Sequence, residues 1–466
     1  MKPMMKIYTN PAKFSGKPKP IKMKYGVSML PQNGGNGPAP YLDTPWMDKM
    51  KELYNLSYIS GAAGSIVIYT NYISPPGVSI GFNGNHQDCI DRHVDFNTVV
   101  SGRLAKPFSY GCFESDIQVA GQLGKAYLPG INCSTPILDG RRTTPPAPYN
   151  FNRLHSQVDY ILSLAATKGV KIIGIKWNEE SQGKGNADVF PTIQSLVDVT
   201  AEGARYVHGK NSSIINITDA QITDDPNCRF INMNATMGTI PFASCHRNYF
   251  QVQKQMNDWT DIITRVREFH SVTDKFRQQF PGGQEELAQQ QFGDIDGMDV
   301  SLNIYSGKVG QGIVMSSILL RAIMETATDD VIAFFTHSQS NGLMSGTGRN
   351  FSVKPCFYMI KALQGALVND GLIDVQLQSI EGAENLVYAG VQRGSVSEIY
   401  FVNEGKPGVD RDIVIPTVQV NDHHKSVAVV DGWGGDLASD TATQYTQPTG
   451  DSITIKAGYC IKVVTQ

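Results

Sequence analysis

The chain has 466 residues, enough for a large barrel and a smaller second domain, each with its own core. A net charge of −3 and a pI near 6.3 supply no basic footprint, which argues against a nucleic-acid partner. No stretch approaches the roughly 20 apolar residues of a membrane span.

The start, Met1-Lys-Pro-Met-Met-Lys-Ile, has basic residues without an apolar leader behind them, so synthesis in the cytoplasm is expected. Seven cysteines, at 89, 112, 133, 228, 245, 356 and 460, are scattered, odd in number and without CxxC spacing. They are expected to be mostly free thiols, not a disulfide framework or a zinc site.

From about residue 24 to 365, apolar strand-like runs alternate with helical stretches. Tyr25 to Leu30 reads as a first strand, followed by a helix over Thr44 to Tyr54 and a second strand at Ser65 to Thr70. A long loop rich in Gly, Asn and Asp follows. A helix from Phe113 stops at Gly124 and leads into a strand over Ala126 to Ile131. Leu154 to Lys168 is amphipathic, with Val158, Ile161, Leu162 and Ala165 on one stripe. Further on come a strand at Val170 to Ile175, a helix from Thr192 to His208 and a strand at Ser213 to Thr218. Phe242 to Tyr249 has weaker strand character. The series ends with a helix from Trp259 to Phe280, a strand at Met298 to Tyr305, a helix at Val314 to Thr326 and a strand at Val331 to Thr336.

About eight such units predict an α/β fold, a (β/α)8 TIM barrel over 24–367, with a doubly wound open sheet as the alternative. After residue 368 short strand-like runs are separated by Gly, Asn and Asp clusters, which predicts a C-terminal antiparallel β-sandwich over 368–466. Residues 1–23 contain Lys6-Ile-Tyr and Ile21-Lys-Met, expected to add edge strands to that sandwich.

The most informative segment is Gly169-Val-Lys-Ile-Ile-Gly-Ile-Lys-Trp177-Asn178-Glu179. An apolar strand ends in an amide and a carboxylate, where barrel enzymes place catalytic groups. The plainer reading is a polar loop beginning after a buried strand. In order along the chain, Ala126 to Asn132, Gly174 to Ser181, Ala243-Ser-Cys-His246-Arg-Asn-Tyr249 and Phe334 to Gln339 resemble the third, fourth, sixth and eighth strands of clan A glycoside hydrolases. The resemblance is to the arabinofuranosidase, xylosidase and heparanase branch, whose barrel carries a C-terminal β-sandwich. It implies that Glu179 holds the acid/base position. It also implies that Asn178, His246 and Tyr249 meet the sugar; Asn132, Trp177 and Tyr305 are further candidates for lining that site, and no cofactor or metal is expected.

The seventh strand departs from that pattern. The resemblance requires a nucleophilic Glu near its end, and the matching stretch, Met298 to Tyr305, carries Asn303 there. An amide cannot form the glycosyl ester of a double displacement. Glu325 lies on a helical run and Asp299 sits four residues early, so neither replaces it. Three readings accommodate Asn303: a catalytically degenerate barrel, another nucleophile from the loop 83–93, or a strand register different from the one assigned here.

Among other candidates, His86, Asp88, Asp91 and His93 have metal-type chemistry, but a hydrogen-bonded polar loop explains them better. Trp177 fits a barrel-core residue or a sugar platform; His246 and Tyr249 fit a sugar site or a satisfied core. Gly34-Gly-Asn-Gly and Pro281-Gly-Gly lack the strand-to-helix setting of a phosphate cradle. The expectation is a degenerate glycosidase-like barrel that binds carbohydrate or serves as a structural component, a phage virion included, with protein partners in a larger assembly. The alternative is an active retaining glycoside hydrolase using Glu179.

Overall fold

The computed structural model describes residues 4–7, 24–29, 44–61, 111–131, 151–177, 193–219, 243–246, 258–268, 290–292, 305, 307–324, 331–335, 343–347, 350–367, 372–373, 375–378, 382–393, 396–416, 427–450 and 452–465. The first half alternates strands and helices: β1 (Met4–Ile7), β2 (Lys24–Met29), α1 (Pro45–Lys51), β3 (Tyr58–Gly61), α2 (Gly111–Leu123), β4 (Ala126–Leu128) and β5 (Gly130–Ile131). Then follow α3 (Phe151–Thr167), β6 (Gly174–Trp177), α4 (Ile193–Lys210), β7 (Ile215–Asp219) and β8 (Ala243–His246). The series closes with α5 (Trp259–Arg267), β9 (Gln290–Phe292), α6 (Val309–Met324) and β10 (Val331–Phe335).

Strands β2 to β10 form one sheet in the order β4-β3-β2-β10-β9-β8-β7-β6-β5. Every pairing in it is parallel. β4 and β5 are two halves of a single segment interrupted at Pro129, which has no backbone N–H to give to a ladder. One half pairs with β3 and the other with β6, so the two ends of the sheet are the same piece of chain and the sheet closes on itself. A parallel bridge between Tyr127 and Ile172 strengthens the seam. The open-sheet alternative is thereby excluded.

Helices surround this ring because their apolar stripes need covering. On α3, Val158, Ile161 and Ala165 are buried as the spacing predicts, Leu162 is only partly buried, and Leu154 joins the buried stripe. Helix α2 stops at Gly124, whose φ of 65° is the left-handed cap expected of a glycine there. Helix α6 is buried from Val309 to Leu320 on every side, because it lies between the ring and the C-terminal sheets.

Two strand assignments made from the sequence do not hold. The ring's second strand is Tyr58–Gly61, not Ser65–Thr70, which lies outside the described residues. Its seventh is Gln290–Phe292, paired with β8 and β10, not Met298–Tyr305. In both places the true strand is short and only weakly apolar. Its place is decided by the ladders on either side, while a more hydrophobic run nearby attracts the pattern-based assignment.

The chain continues with the hairpin β11 (Met344–Thr347) and β12 (Asn350–Val353), then α7 (Pro355–Leu363). After it come β13 (Leu372–Ile373), β14 (Val375–Gln378), β15 (Leu386–Arg393), β16 (Val396–Asn403) and β17 (Ile413–Pro416). The last elements are β18 (Val427–Gly434), β19 (Thr443–Gln444), β20 (Ser452–Ile455) and β21 (Tyr459–Thr465). A six-stranded sheet, ordered β13-β15-β16-β21-β18-β19, faces the two-stranded β17-β20 sheet. Ile399, Phe401, Ile413, Ile415, Ile453 and Ile461 fill the space between them. Val414, between two buried isoleucines, is 49% exposed, the period of two expected of a half-buried strand. β1 runs antiparallel to β14, with Met4 opposite Gln378, as a separate two-stranded sheet; residues 21–23 lie outside the described residues.

The other face of the six-stranded sheet covers α6 and α7, where Tyr400, Val402 and Cys460 join the main core. Carbonyls of Ser439 and Leu437 accept the backbone N–H groups of Val309 and Gly310 at 3.0 and 2.9 Å, satisfying two orphan donors of α6. Tyr358 stacks on Trp433 with ring centroids 4.5 Å apart. Among the described residues, no helix is long and apolar enough to cross a membrane.

Candidate functional site

In a ring of parallel strands all carboxyl ends share one rim, which is where such folds build sites. The ladders fix who stands beside whom there: Ile131 opposite Trp177, Trp177 opposite Thr218, Asp219 opposite His246, and His246 opposite Gln291. Asn132 follows Ile131, and Asn178-Glu179 follow Trp177, so both segments leave the ring from paired positions. Asn132, Asn178, Glu179, Tyr249 and Asn303 themselves lie outside the described residues, as does the loop at 86–93. His246 is placed as the last residue of β8.

Trp177 is not a sugar platform. It is fully buried, and its indole N–H donates to Asn216 Oδ1 at 2.8 Å. Asn216 in turn donates to the carbonyl of Ala204 on α4 at 3.4 Å. The indole lies so close to Gly203 that a Cβ there would fall 2.6 Å from the ring. Trp177 therefore faces the helical layer, and the glycine is what lets helix and strand approach.

Tyr305 also departs from the expectation. It is 7% exposed and meets Trp259 edge-on, with centroids 5.3 Å apart. Trp259 donates through Nε1 to the carbonyl of Glu404 at 2.8 Å, so this aromatic pair belongs to the junction between ring and C-terminal sheets. Burial pushes the Tyr305 hydroxyl above its ordinary range, with Asp258 and Asp436 adding to the effect.

A buried carboxyl lies on the helix-facing side of the ring. Tyr127 donates to Asp116 Oδ2 at 3.1 Å, and burial pushes Asp116 well above the carboxylate range while that hydrogen bond pulls it down. Among the described residues no group of three or more His, Cys, Asp or Glu is placed to hold a metal.

Asp219 is the rim residue that sequence reasoning missed. It ends β7 one residue beyond the strand assigned from the sequence. The signal was present: a polar residue closing an apolar strand, the same cue that singled out Asn178-Glu179.

No family model matches the sequence, and no curated protein matches it. The fold has clear likenesses among solved structures. The GH51 arabinofuranosidase from Xanthomonas axonopodis pv. citri shares 11% identity over 96% of this chain and 97% of its own, with a TM-score of 0.66. The α-L-arabinofuranosidase of Thermotoga maritima shares 14% identity over 99% of this chain and 100% of its own, with a TM-score of 0.65. The catalytic domain of GH30 xylanase C from Talaromyces cellulolyticus shares 11% over 96% and 98%, with a TM-score of 0.52. The fold is that of the clan A glycoside hydrolases, TIM-barrel enzymes with a C-terminal domain.

Proposed function

We propose that the protein is a carbohydrate-directed (β/α)8 barrel with a C-terminal β-sandwich, divided at residues 24–367 and 368–466, with residues 1–23 packing on the sandwich. In this reading it keeps the acid/base position at Glu179 and makes no nucleophilic attack; the seventh strand, Gln290-Gln-Phe292, has no carboxylate in it, and Asn303, well past its end, no longer marks the nucleophile position. It binds saccharide at the carboxyl rim without a covalent step, whether as a free protein or as a component of an assembly such as a virion. The observation that carries the saccharide site is the register of the rim, where Ile131, Trp177 and Thr218 stand side by side directly before Asn132, Asn178 and Asp219.

Without a nucleophile, a general acid contributes about 10²–10⁴-fold, far short of enzymatic hydrolysis. The test is direct. Arabino- and xylo-oligosaccharides are titrated into the protein by calorimetry, and aryl arabinosides, xylosides, glucosides and galactosides are assayed for nitrophenol release. Binding without release, weakened by Glu179→Gln or Asn178→Ala, supports the reading; absence of binding to every sugar removes it.

One observation favours a second reading, an active retaining hydrolase. The seventh strand ends at Phe292, so Asp294 and Asp296 follow it within four residues while Asn303 stands further along the chain. Either aspartate would supply the carboxylate that attacks the anomeric carbon as Glu179 protonates the departing oxygen, and water would then cleave the glycosyl ester. Robust hydrolysis abolished by Glu179→Gln and by Asp294→Asn or Asp296→Asn would establish it in place of the first reading.

A further inference from the structure

The cations of this slightly acidic chain are unevenly spread, and one group gathers at the amino-terminal end of the ring, opposite the carboxyl rim. Residues 117–131, 160–175 and 203–217 contain no aspartate or glutamate, yet they carry Lys125, Lys168, Lys171, Arg205 and Lys210. The backbone brings these segments together where β4, β6 and β7 begin. Tyr127 bridges to Ile172 and its N–H donates to the Lys171 carbonyl at 2.8 Å, while the Ile215 N–H donates to the Ile173 carbonyl at 3.1 Å. Paired strands lie about 4.8 Å apart. Lys125 and Lys171 therefore lead into neighbouring strands, and Lys168 precedes Lys171 by one turn, just past the end of α3.

Lys168 and Lys171 are exposed and Lys125 is half-buried. Arg205 and Lys210 reach carboxylates further up their helices, Glu202 at 3.5 Å and Asp159 at 3.1 Å. Among the described residues no carboxylate lies within ion-pair distance of Lys125, Lys168 or Lys171. Glu52, the acid on the next segment round the ring, already serves Lys49 and Lys361. Lys125 Nζ donates to the Tyr54 carbonyl at 2.9 Å, so Tyr54, 56% exposed, stands at the margin of the group. Asn211, Ser212 and Ser213 are exposed at the other margin. The result is a basic face bordered by a phenol ring and hydroxyl groups on a chain with a net charge of −3.

We propose that this basal face binds an acidic polysaccharide, a chain of uronate units whose carboxylates meet Lys125, Lys168 and Lys171. Repeated carboxylates offset the uncompensated positive charge, while the Tyr54 ring and the Ser212 and Ser213 hydroxyls suit the uncharged parts of the sugar units. The site lies at the opposite end of the ring from the carboxyl rim and stands whether or not that rim takes saccharide.

The experiment uses the full chain and titrates polygalacturonate into it by calorimetry at low salt. The wild type is compared with Lys168→Glu/Lys171→Glu and with Lys406→Glu/Arg411→Glu, which makes the same change of charge at exposed positions of the C-terminal part. The expected result is binding by the wild type that weakens roughly tenfold in the first variant, stays within about twofold in the second, and falls as salt is raised. No binding of polygalacturonate, or an equal fall in both variants, overturns the proposal. So does tighter binding of duplex DNA or of phosphatidylglycerol vesicles, which would assign the face to another polyanion. Should the glutamate pair fail to fold, Lys168→Gln/Lys171→Gln replaces it, with an expected fall of roughly threefold, and no fall overturns the proposal. Neutral arabino-oligosaccharides should bind all variants alike; their loss together with polygalacturonate in the Lys168/Lys171 variant would put both ligands in one site and overturn it. Polygalacturonate binding with no neutral sugar bound at all removes the proposed function and leaves the basal site standing.

Discussion

Arg321 and Glu404 meet at 2.7 Å across the junction between the ring and the C-terminal sheets, with the Glu404 side chain wholly excluded from solvent. Its second oxygen takes Arg267 Nε at 3.0 Å, and Arg267 also donates to Asn385 Oδ1 at 2.7 Å. One carboxylate from the sheet side thus neutralises two helices, α5 and α6. Removing it leaves a guanidinium that is only 15% exposed without its partner. Glu404→Gln is expected to cost roughly 3–5 kcal/mol, mainly through Arg321, since Arg267 is more exposed and screened. Urea unfolding measures this. Arg321→Met should cost much less in the Glu404→Gln background than alone, and equal costs would show that the two do not act together.

The same junction should protect two thiols. Cys356 and Cys460 are buried thiols not joined in a disulfide, with Cys460 Sγ directed at the Met359 carbonyl at 3.6 Å. Burial pushes the Cys356 thiol up to about 12, and it raises Cys460 as well. The thiolate is the reactive form, so neither should be alkylated in the native protein at neutral pH. Peptide mapping after iodoacetamide treatment checks this, and labelling of both in dilute urea before global unfolding would mark separation of the two parts.

Deleting residues from 368 onward should leave an insoluble barrel. The C-terminal sheets cover α6 and α7, whose residues Ile313, Leu319, Phe357 and Ile360 are fully buried. Uncovering them exposes an apolar patch of the kind that drives association. A truncated chain that elutes as a monomer and melts cooperatively would refute this dependence.

Asp116 gives stability a pH dependence of known sign. Its folded-state pKa is raised above the ordinary 3.8 by burial, so the folded protein holds its proton more tightly than the unfolded chain. Its contribution is most favourable below that ordinary value and declines as pH rises towards the folded-state value. Asp116→Asn keeps an acceptor for the Tyr127 hydroxyl and removes the ionisation. The variant should be more stable than the wild type at pH 7.5, with the gain vanishing near pH 3. Thermal melts at the two pH values test it.

Trp177 should matter for stability and not for sugar. Trp177→Phe leaves Asn216 Oδ1 without its donor and opens a gap over Gly203, for a cost of about 1–3 kcal/mol. Saccharide affinity per folded molecule should be unchanged. A large loss of affinity with unchanged stability would restore the platform role.

Much of this molecule is determined within single segments. The stripe on α3, the glycine stop of α2 and the alternation along Ile413-Val-Ile415 each follow from the period of one element, so the alternating parallel fold and the antiparallel tail are legible without coordinates. The cue at Trp177-Asn178-Glu179 is of the same local kind.

What the tertiary structure alone decided are relations between segments. Pro129 splits one strand so that its halves close the ring from both sides, and three polar-leaning residues, Gln290-Gln-Phe, become the seventh strand because two ladders hold them there. Trp177 and Tyr305 have the composition of sugar-facing residues, yet a hydrogen bond to Asn216 and an edge-on contact with Trp259 turn them to structural work. Residue type sets what a side chain is able to do. Which face it occupies depends on strand register and on the helices packed behind, and these are fixed by contacts between residues far apart in the chain.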